Sequence, residues 1–213
     1  MSHATGARVI SLIRHGKVAG APALYGRTDI ALSTQGEQDL MCTLSKLHEH
    51  TSITQVISSP KIRCAKVAGE FSLQHKIPLA FEAGLQEMDF GIWDGVPFDE
   101  LGDEWNNIEQ FWHNPASAHA PKGETLQDFA NRVIHSWETF LNYKNAQHST
   151  EHSAIICHGG VIRILIAHVL QLDWRNPALF KQLQIDYASC TRISIANYDH
   201  AQPQIHYIGL QHY

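Results

Sequence analysis

Apolar positions along this chain follow two rhythms, the short continuous run and the helical repeat, and the two alternate. Val9-Ile10-Ser11-Leu12-Ile13 is a run of the first kind. It is closed by Arg14-His15-Gly16 and predicts a buried strand that ends in a loop. Thr34-x-x-Glu37 has the form of a capping box, after which Leu40, Met41, Leu44 and Leu47 recur at helical spacing. Residues 53–57 predict a second strand. It runs into Ser58-Ser59-Pro60, where a serine can cap a helix and proline suits the first helical position. Cys64, Val67, Ala68 and Phe71 give that helix its apolar stripe. The longest amphipathic pattern begins at Leu126 and continues through Phe129, Val133, Trp137 and Leu141. Ala154-Ile155-Ile156-Cys157 is again strand-like, and His158-Gly159-Gly160 leads into a helix marked by Val161, Ile162, Leu165, Ile166 and Val169. Residues 192–196 and 205–208 predict two late strands.

Strands alternating with amphipathic helices predict an α/β fold, three-layer α/β/α with a mostly parallel central sheet. Ligands of such sheets bind beyond the carboxyl ends of the strands. Arg14-His15-Gly16 follows the first strand, Arg63 lies one turn into the helix after the second, and His158-Gly159 follows the third. All three are therefore expected at one edge. The 213 residues suit a single domain. Residues 90–122, rich in Trp, Asp, Asn, Pro and Gly and weakly periodic, are expected as an insertion or lid over that edge.

Composition changes this picture little: 44% hydrophobic and 17% charged residues are those of an ordinary globular chain. The formal net charge of -5 argues against a nucleic-acid partner. It leaves a phosphorylated small molecule open, because a local cluster of cations is enough to bind one. No stretch approaches the roughly 20 apolar residues of a membrane span, and no secretory h-region is visible at the start. Cys42, Cys64, Cys157 and Cys190 are scattered, as in a protein with reduced thiols. A cytoplasmic protein without a membrane partner is expected, and a homodimer is compatible with the sequence. The 15 histidines raise the question of a metal. There is no HExxH, and adjacent positions i and i+2 of His48-Glu49-His50 do not face each other on a helix. Neither a metal nor another cofactor is expected.

The residues at the predicted edge suit phosphoryl chemistry. A phosphoryl group carries about -1.5 to -2 charges at neutral pH and needs fixed cations and several donors. Arg14 and Arg63 offer permanently charged forks. Neutral imidazole can attack phosphorus, which makes His15 the candidate nucleophile. His158 would donate to the equatorial oxygens as charge develops, and Gly159 lets the phosphate come close to the backbone. A leaving alkoxide needs a proton, and Glu87 in Leu85-Gln86-Glu87-Met88-Asp89-Phe90-Gly91 is the best-placed acid.

Taken together, these segments resemble the histidine phosphatase superfamily, which includes the cofactor-dependent phosphoglycerate mutases. The resemblance runs in the family's order from about Arg8 to about Ile195. Leu12-Ile13-Arg14-His15-Gly16 is similar to the phosphohistidine motif, and Leu32-Ser33-Thr34-Gln35-Gly36 to the L-[ST]-x-x-G after it. Ser58-Ser59-Pro60-Lys61-Ile62-Arg63 resembles the SSP-x-x-R region. The block from Leu85 to Gly95 is similar to L-x-E-x-x-F-G-x-W-[DE]-G, Gly123-Glu124-Thr125 to G-E-[ST], and His158-Gly159-Gly160 to the second histidine motif. The resemblance implies a phosphoglycerate mutase-like fold and a metal-free, ping-pong route through phosphohistidine. It casts His15 as nucleophile, Glu87 as acid, and Arg14, Arg63 and His158 as the phosphate's holders.

Within the superfamily, the short chain and the Glu87-to-Gly95 block look most like the α-ribazole phosphatase branch, which implies dephosphorylation of α-ribazole 5′-phosphate or adenosylcobalamin 5′-phosphate in cobalamin biosynthesis. Leu24-Tyr25-Gly26-Arg27-Thr28-Asp29 resembles that branch's substrate loop, which makes Tyr25 and Arg27 candidate contacts. The chain departs from many relatives after the first histidine. It reads Lys17-Val18-Ala19 where a threonine and then an asparagine are usual, so Lys17 either replaces those donors with charge or is a solvated lysine. Trp93, Trp105 and Trp112 either stack on substrate or pack a lid. The alternatives to this branch are a broad-specificity sugar or small-molecule phosphatase, a phosphoglycerate mutase, and a catalytically weak regulatory binding module.

Overall fold

The computed structural model describes residues 7–145, 151–198 and 200–211. Its elements in chain order are β1 (Ala7–Arg14), α1 (Thr34–His50), β2 (Gln55–Ser58), α2 (Ile62–His75), β3 (Leu79–Phe81), α3 (Trp105–His113), α4 (Leu126–Asn145), β4 (His152–Cys157), α5 (Gly159–Val169), α6 (Ala178–Lys181), β5 (Cys190–Ala196) and β6 (Gln204–Leu210). One sheet of order β3-β2-β4-β1-β5-β6 joins all six strands. The β3-β2, β2-β4 and β4-β1 pairs are parallel, and the β1-β5 and β5-β6 pairs antiparallel.

Helices cover both faces, which explains the continuous apolar runs of the central strands. Because side chains alternate across a strand, Ile10 and Leu12 of β1 and Ile155 and Cys157 of β4 join the core beneath α4 and α5. Ile13, Ala154 and Ile156 join Leu40, Leu44, Val67 and Phe71 beneath α1 and α2. The three-layer α/β/α arrangement is thus set by two separate apolar clusters, one on each side of a mostly parallel sheet.

Two helix starts differ from expectation. The N-cap of α1 is Ser33, whose hydroxyl accepts from the Gly36 amide at 3.0 Å, so the cap lies one residue before the Thr34-based box. At α2, Lys61 holds the N-cap position without a side-chain cap, and neither Ser58-Ser59 nor Pro60 serves as anticipated. Instead Asp29, from the loop after β1, accepts from the Ile62 amide at 2.7 Å. A carboxylate suits the positive end of a helix, and tertiary contact supplies it here. β3 was not foreseen, being only three residues long on the sheet edge.

Residues 90–122 contain α3 and a series of short turns. Trp93, Leu101, Ile108, Phe111 and Ala120 from this segment are buried in the same cluster as α4 and α5. Burial of each large side chain contributes about 1.5–3 kcal/mol, so the segment is anchored in the core through these residues.

Candidate active site

The parallel pairing of β1 with β4 sets Arg14 opposite Cys157, so His15 and His158 emerge side by side where the two strands end. The His15 amide donates to Cys157 O at 3.0 Å, and the two imidazoles stand with centroids 5.2 Å apart at 63°. On the other side of β4, the Ser59 amide donates to Ile156 O at 2.9 Å, bringing the end of β2 to the same place.

His15 is only 6% exposed. Its Nδ1 lies 2.8 Å from Gly16 O. A carbonyl only accepts, so Nδ1 carries the proton and Nε2 keeps the lone pair in the neutral ring. Burial, and then the charges of Arg14 and Arg63, hold the pKa of His15 well below its usual 6.5. The ring is therefore neutral at pH 7. The loop after it is packed backbone against backbone. A Cβ on Gly36 would lie 2.6 Å from Lys17 N and 2.9 Å from Lys17 C. That contact accounts for the glycine closing the Leu32-to-Gly36 segment, since any side chain would push the nucleophile's loop out of place.

His158 and Arg63 are fully buried. Arg63 Nε donates to His158 Nδ1 at 3.3 Å, and His158 Nε2 bonds to Ser59 Oγ at 2.9 Å. Because Nδ1 accepts, Nε2 carries the proton and donates to the serine. Burial, followed by the charge of Arg63, places the pKa of His158 well below 6.5 as well. The remaining arms of Arg63 reach back to the chain, Nη1 to Thr28 O at 2.9 Å and Nη2 to Tyr25 O and Gly26 O at 2.9 and 3.0 Å. Arg63 therefore sits one layer behind the cavity, holding the 25–28 loop and one histidine while its charge acts on both imidazoles.

Arg14 does reach the cavity. Its Nη1 donates to Ile185 O at 2.6 Å, its Cζ lies 3.9 Å from the Tyr187 ring centroid, and its buried Nε finds no acceptor in the protein. Tyr187 also packs on His15, centroids 5.6 Å apart.

Glu87 is held by two amides, Met88 N to Oε1 at 3.1 Å and Gly160 N to Oε2 at 3.0 Å. The second bond ties the acid to the first turn of α5, beside His158. Its loop is fixed from behind by Arg132 of α4, which donates to the carbonyls of Gly84, Gln86 and Glu87 at 2.9, 2.7 and 2.9 Å. Glu124 pairs with the same guanidinium at 2.6 Å and accepts from Asp89 N at 2.8 Å. Gly123-Glu124-Thr125 thus acts on the site indirectly, as a brace for the Glu87 loop.

Arg14, His15, Glu87, Gly159 and Tyr25 line one cleft of about 190 Å³. Leu24, Met88, Phe90, Phe111, Trp112 and Phe180 supply an apolar wall. Trp112 is the one candidate tryptophan in that wall. Trp93 is buried, with its indole N–H on Glu104 at 2.8 Å, and Trp105 packs edge-on to Phe98. Lys17 is exposed and is not a lining residue; its carbonyl receives the Ser33 amide. Arg27 stands outside this cleft, 3.7 Å from Asp89, on a polar recess behind Glu87. Among the described residues, no three His, Cys, Asp or Glu side chains converge as a set of metal ligands.

Sequence reasoning missed Tyr187, Arg163, Ser59 and Asp94. Asp94 accepts from the amides of Gly26, Arg27 and Thr28 at 3.1, 2.7 and 2.8 Å and from Phe90 at 3.2 Å, fastening the 25–28 loop to the Glu87 block. The acidic residue in Trp93-Asp94-Gly95 was a visible signal. Tyr187 carried none, being isolated in a polar stretch.

A family model described as the histidine phosphatase superfamily (branch 1) matches residues 10–210. The chain belongs to that superfamily. Among curated relatives, a bifunctional protein of Mycobacterium tuberculosis is 26% identical over 190 residues. That match covers 88% of this chain and 49% of the relative, so the chain spans about half the length of the curated relatives of this kind. The adenosylcobalamin/alpha-ribazole phosphatase of Salmonella typhimurium is 28% identical over 164 residues, 76% of this chain and 79% of its own. The solved structure of Bacillus stearothermophilus YhfR shares the fold, with a TM-score of 0.82 and 23% identity over 95% of this chain and 96% of that one.

Proposed function

We propose that this histidine phosphatase is a phosphomonoesterase working through phosphohistidine at His15, with α-ribazole 5′-phosphate or a similar aromatic ribonucleoside 5′-phosphate as preferred substrate. The observation that carries the proposal is the state of His15: a neutral ring, its Nδ1 proton committed to Gly16, set in the wall of a cleft that also holds Glu87 and Arg14. Nε2 attacks phosphorus, the ester P–O bond breaks, and the departing alkoxide takes the proton of Glu87. After the alcohol leaves, water attacks phosphorus and gives its proton to the Glu87 carboxylate. The P–N bond breaks, releasing inorganic phosphate and restoring both groups. Arg14 and the buried charge of Arg63 stabilise the phosphoryl oxygens throughout.

The substrate class is supported by the apolar wall opposite the cations, which suits a flat, poorly hydrated leaving group better than the carboxylate of a glycerate. The Salmonella relative's name points the same way. Rapid quenching of enzyme with labelled substrate should give acid-labile, alkali-stable label on the peptide containing Arg14-His15-Gly16. In a panel of α-ribazole 5′-phosphate, sugar phosphates and phosphoglycerates, the first should release phosphate fastest. Turnover without label would replace the covalent route by direct attack of water, and faster turnover of a phosphoglycerate would remove the substrate assignment.

A further inference from the structure

Two guanidiniums face the cleft, and only one of them, Arg14, was anticipated. The other is Arg163, four residues after Gly159 on α5, which places its side chain back over the start of the helix. Its Nη2 donates to Leu183 O at 2.8 Å, just as Arg14 Nη1 donates to Ile185 O at 2.6 Å. Both side chains are thus pinned at one end by the same segment. Each also keeps a buried Nε with no acceptor in the protein. A Cβ built on Gly159 would stand 2.9 Å from Arg163 Nη1 and 3.5 Å from Arg14 Nε, so the two cations flank one point in the cleft. Oxygens of a single phosphoryl group at that point reach both.

Other roles for Arg163 are already taken. Glu87 attracts it electrostatically, yet the carboxylate oxygens are held by the amides of Met88 and Gly160. Arg63 has its Nε and Nη2 committed to His158 and to the loop carbonyls. Buried charged donors without acceptors are rare in folded proteins, and they mark places where a ligand completes the hydrogen bonding.

We propose that Arg163 is a substrate-binding residue which, with Arg14, grips the non-bridging oxygens of the transferring phosphoryl group. This rests on the phosphomonoesterase assignment above. The test uses inorganic phosphate as probe and p-nitrophenyl phosphate as substrate, because that leaving group barely needs the Glu87 proton. In Arg163→Gln, the inhibition constant for phosphate and the KM should both rise roughly ten- to hundredfold, the usual worth of hydrogen bonds to a charged group. Arg163→Lys should recover part of that loss, since it keeps the charge but not the fork. If Arg163→Gln does not fold, a rise of a few fold in the phosphate inhibition constant of Arg163→Lys supports the contact, and an unchanged constant overturns it. A lower melting temperature with unchanged phosphate affinity would reduce Arg163 to a clamp on Leu183 and overturn the proposal. Loss of kcat on alkyl phosphates alone would do the same, in favour of a role in placing Glu87. If the wild-type protein hydrolyses no phosphomonoester, the parent assignment fails; calorimetry of phosphate binding to wild type and Arg163→Gln still decides this contact.

Discussion

Gly160→Ala isolates the placement of the acid from the chemistry of the acid. A Cβ at this position would overlap Glu87 Oε1, with Glu87 Cδ 3.1 Å and Phe129 Cζ 3.2 Å away. Phe129 is buried in the core and cannot yield, so the carboxyl group must. To regain contact distance its oxygen has to retreat by about 1 Å, and a misplacement of that size costs roughly 10²-fold in rate. Alanine favours a helix over glycine by about 1 kcal/mol, so the start of α5 should lose no stability. The expected outcome is an unchanged or raised melting temperature and a kcat on alkyl phosphates reduced roughly 10²-fold. The loss should be smaller on p-nitrophenyl phosphate. Steady-state kinetics of Gly160→Ala, Glu87→Gln and the double variant provide the assay. Because both changes act on one group, the double variant should be no slower than Glu87→Gln. Multiplying losses, or equal losses on both substrates, would refute the reasoning that this glycine exists to make room for the acid.

Acid should destabilise the protein in a definite window. Burial depresses the pKa of His15, His158 and His152 below 6.5 in the folded state, and neighbouring cations add to it. The unfolded chain therefore takes up protons that the folded one refuses. Stability should be flat in these groups above pH 6.5 and fall below it by up to about 1.4 kcal/mol per pH unit for each histidine. Urea midpoints at pH 7.5, 6 and 5 measure this, and His15→Asn should flatten the slope; an unchanged slope would contradict the assignment of a neutral ring. Arg132→Met should cost about 2–3 kcal/mol and lower kcat more than it raises KM, because the Glu87 loop loses its carbonyl anchors while the phosphate cations stay in place. Chemical denaturation and kinetics together check it.

The central strands were legible because a sheet covered on both faces demands unbroken apolar runs, and β1 and β4 have them. Ser33 and Asp29 were harder, since helix starts depend on which side chain can reach an amide, and Asp29 reaches across 33 residues. At the site, Arg14, His15 and Gly159 could be placed because strand ends collect at one sheet edge, whereas Glu87 follows the unforeseen β3 and was picked out by its motif. The contacts of Arg63 with the carbonyls of Tyr25, Gly26 and Thr28 could not be read from the sequence, because they depend on which carbonyls fold around it. Arg163 looked like one polar position on an apolar helix. Only the approach of residues 183–187 gives it a place in the cleft.

The loop that carries Tyr25 and Arg27 is clamped along its backbone, while the Tyr25 hydroxyl reaches Ala21 O at 2.7 Å and Arg27 pairs with Asp89 at 3.7 Å. Arg63 takes the carbonyls of Tyr25, Gly26 and Thr28, Asp94 takes the amides of Gly26, Arg27 and Thr28, and Gly26 packs so close to the Met88 backbone that no side chain fits. None of these contacts consults the side chains at positions 25, 27 or 28. A change of side chain at the exposed Arg27 therefore leaves these backbone clamps in place. Variation at that position can alter the polar recess behind Glu87 while the shape of the loop, and with it the place of Tyr25 in the cleft, is kept.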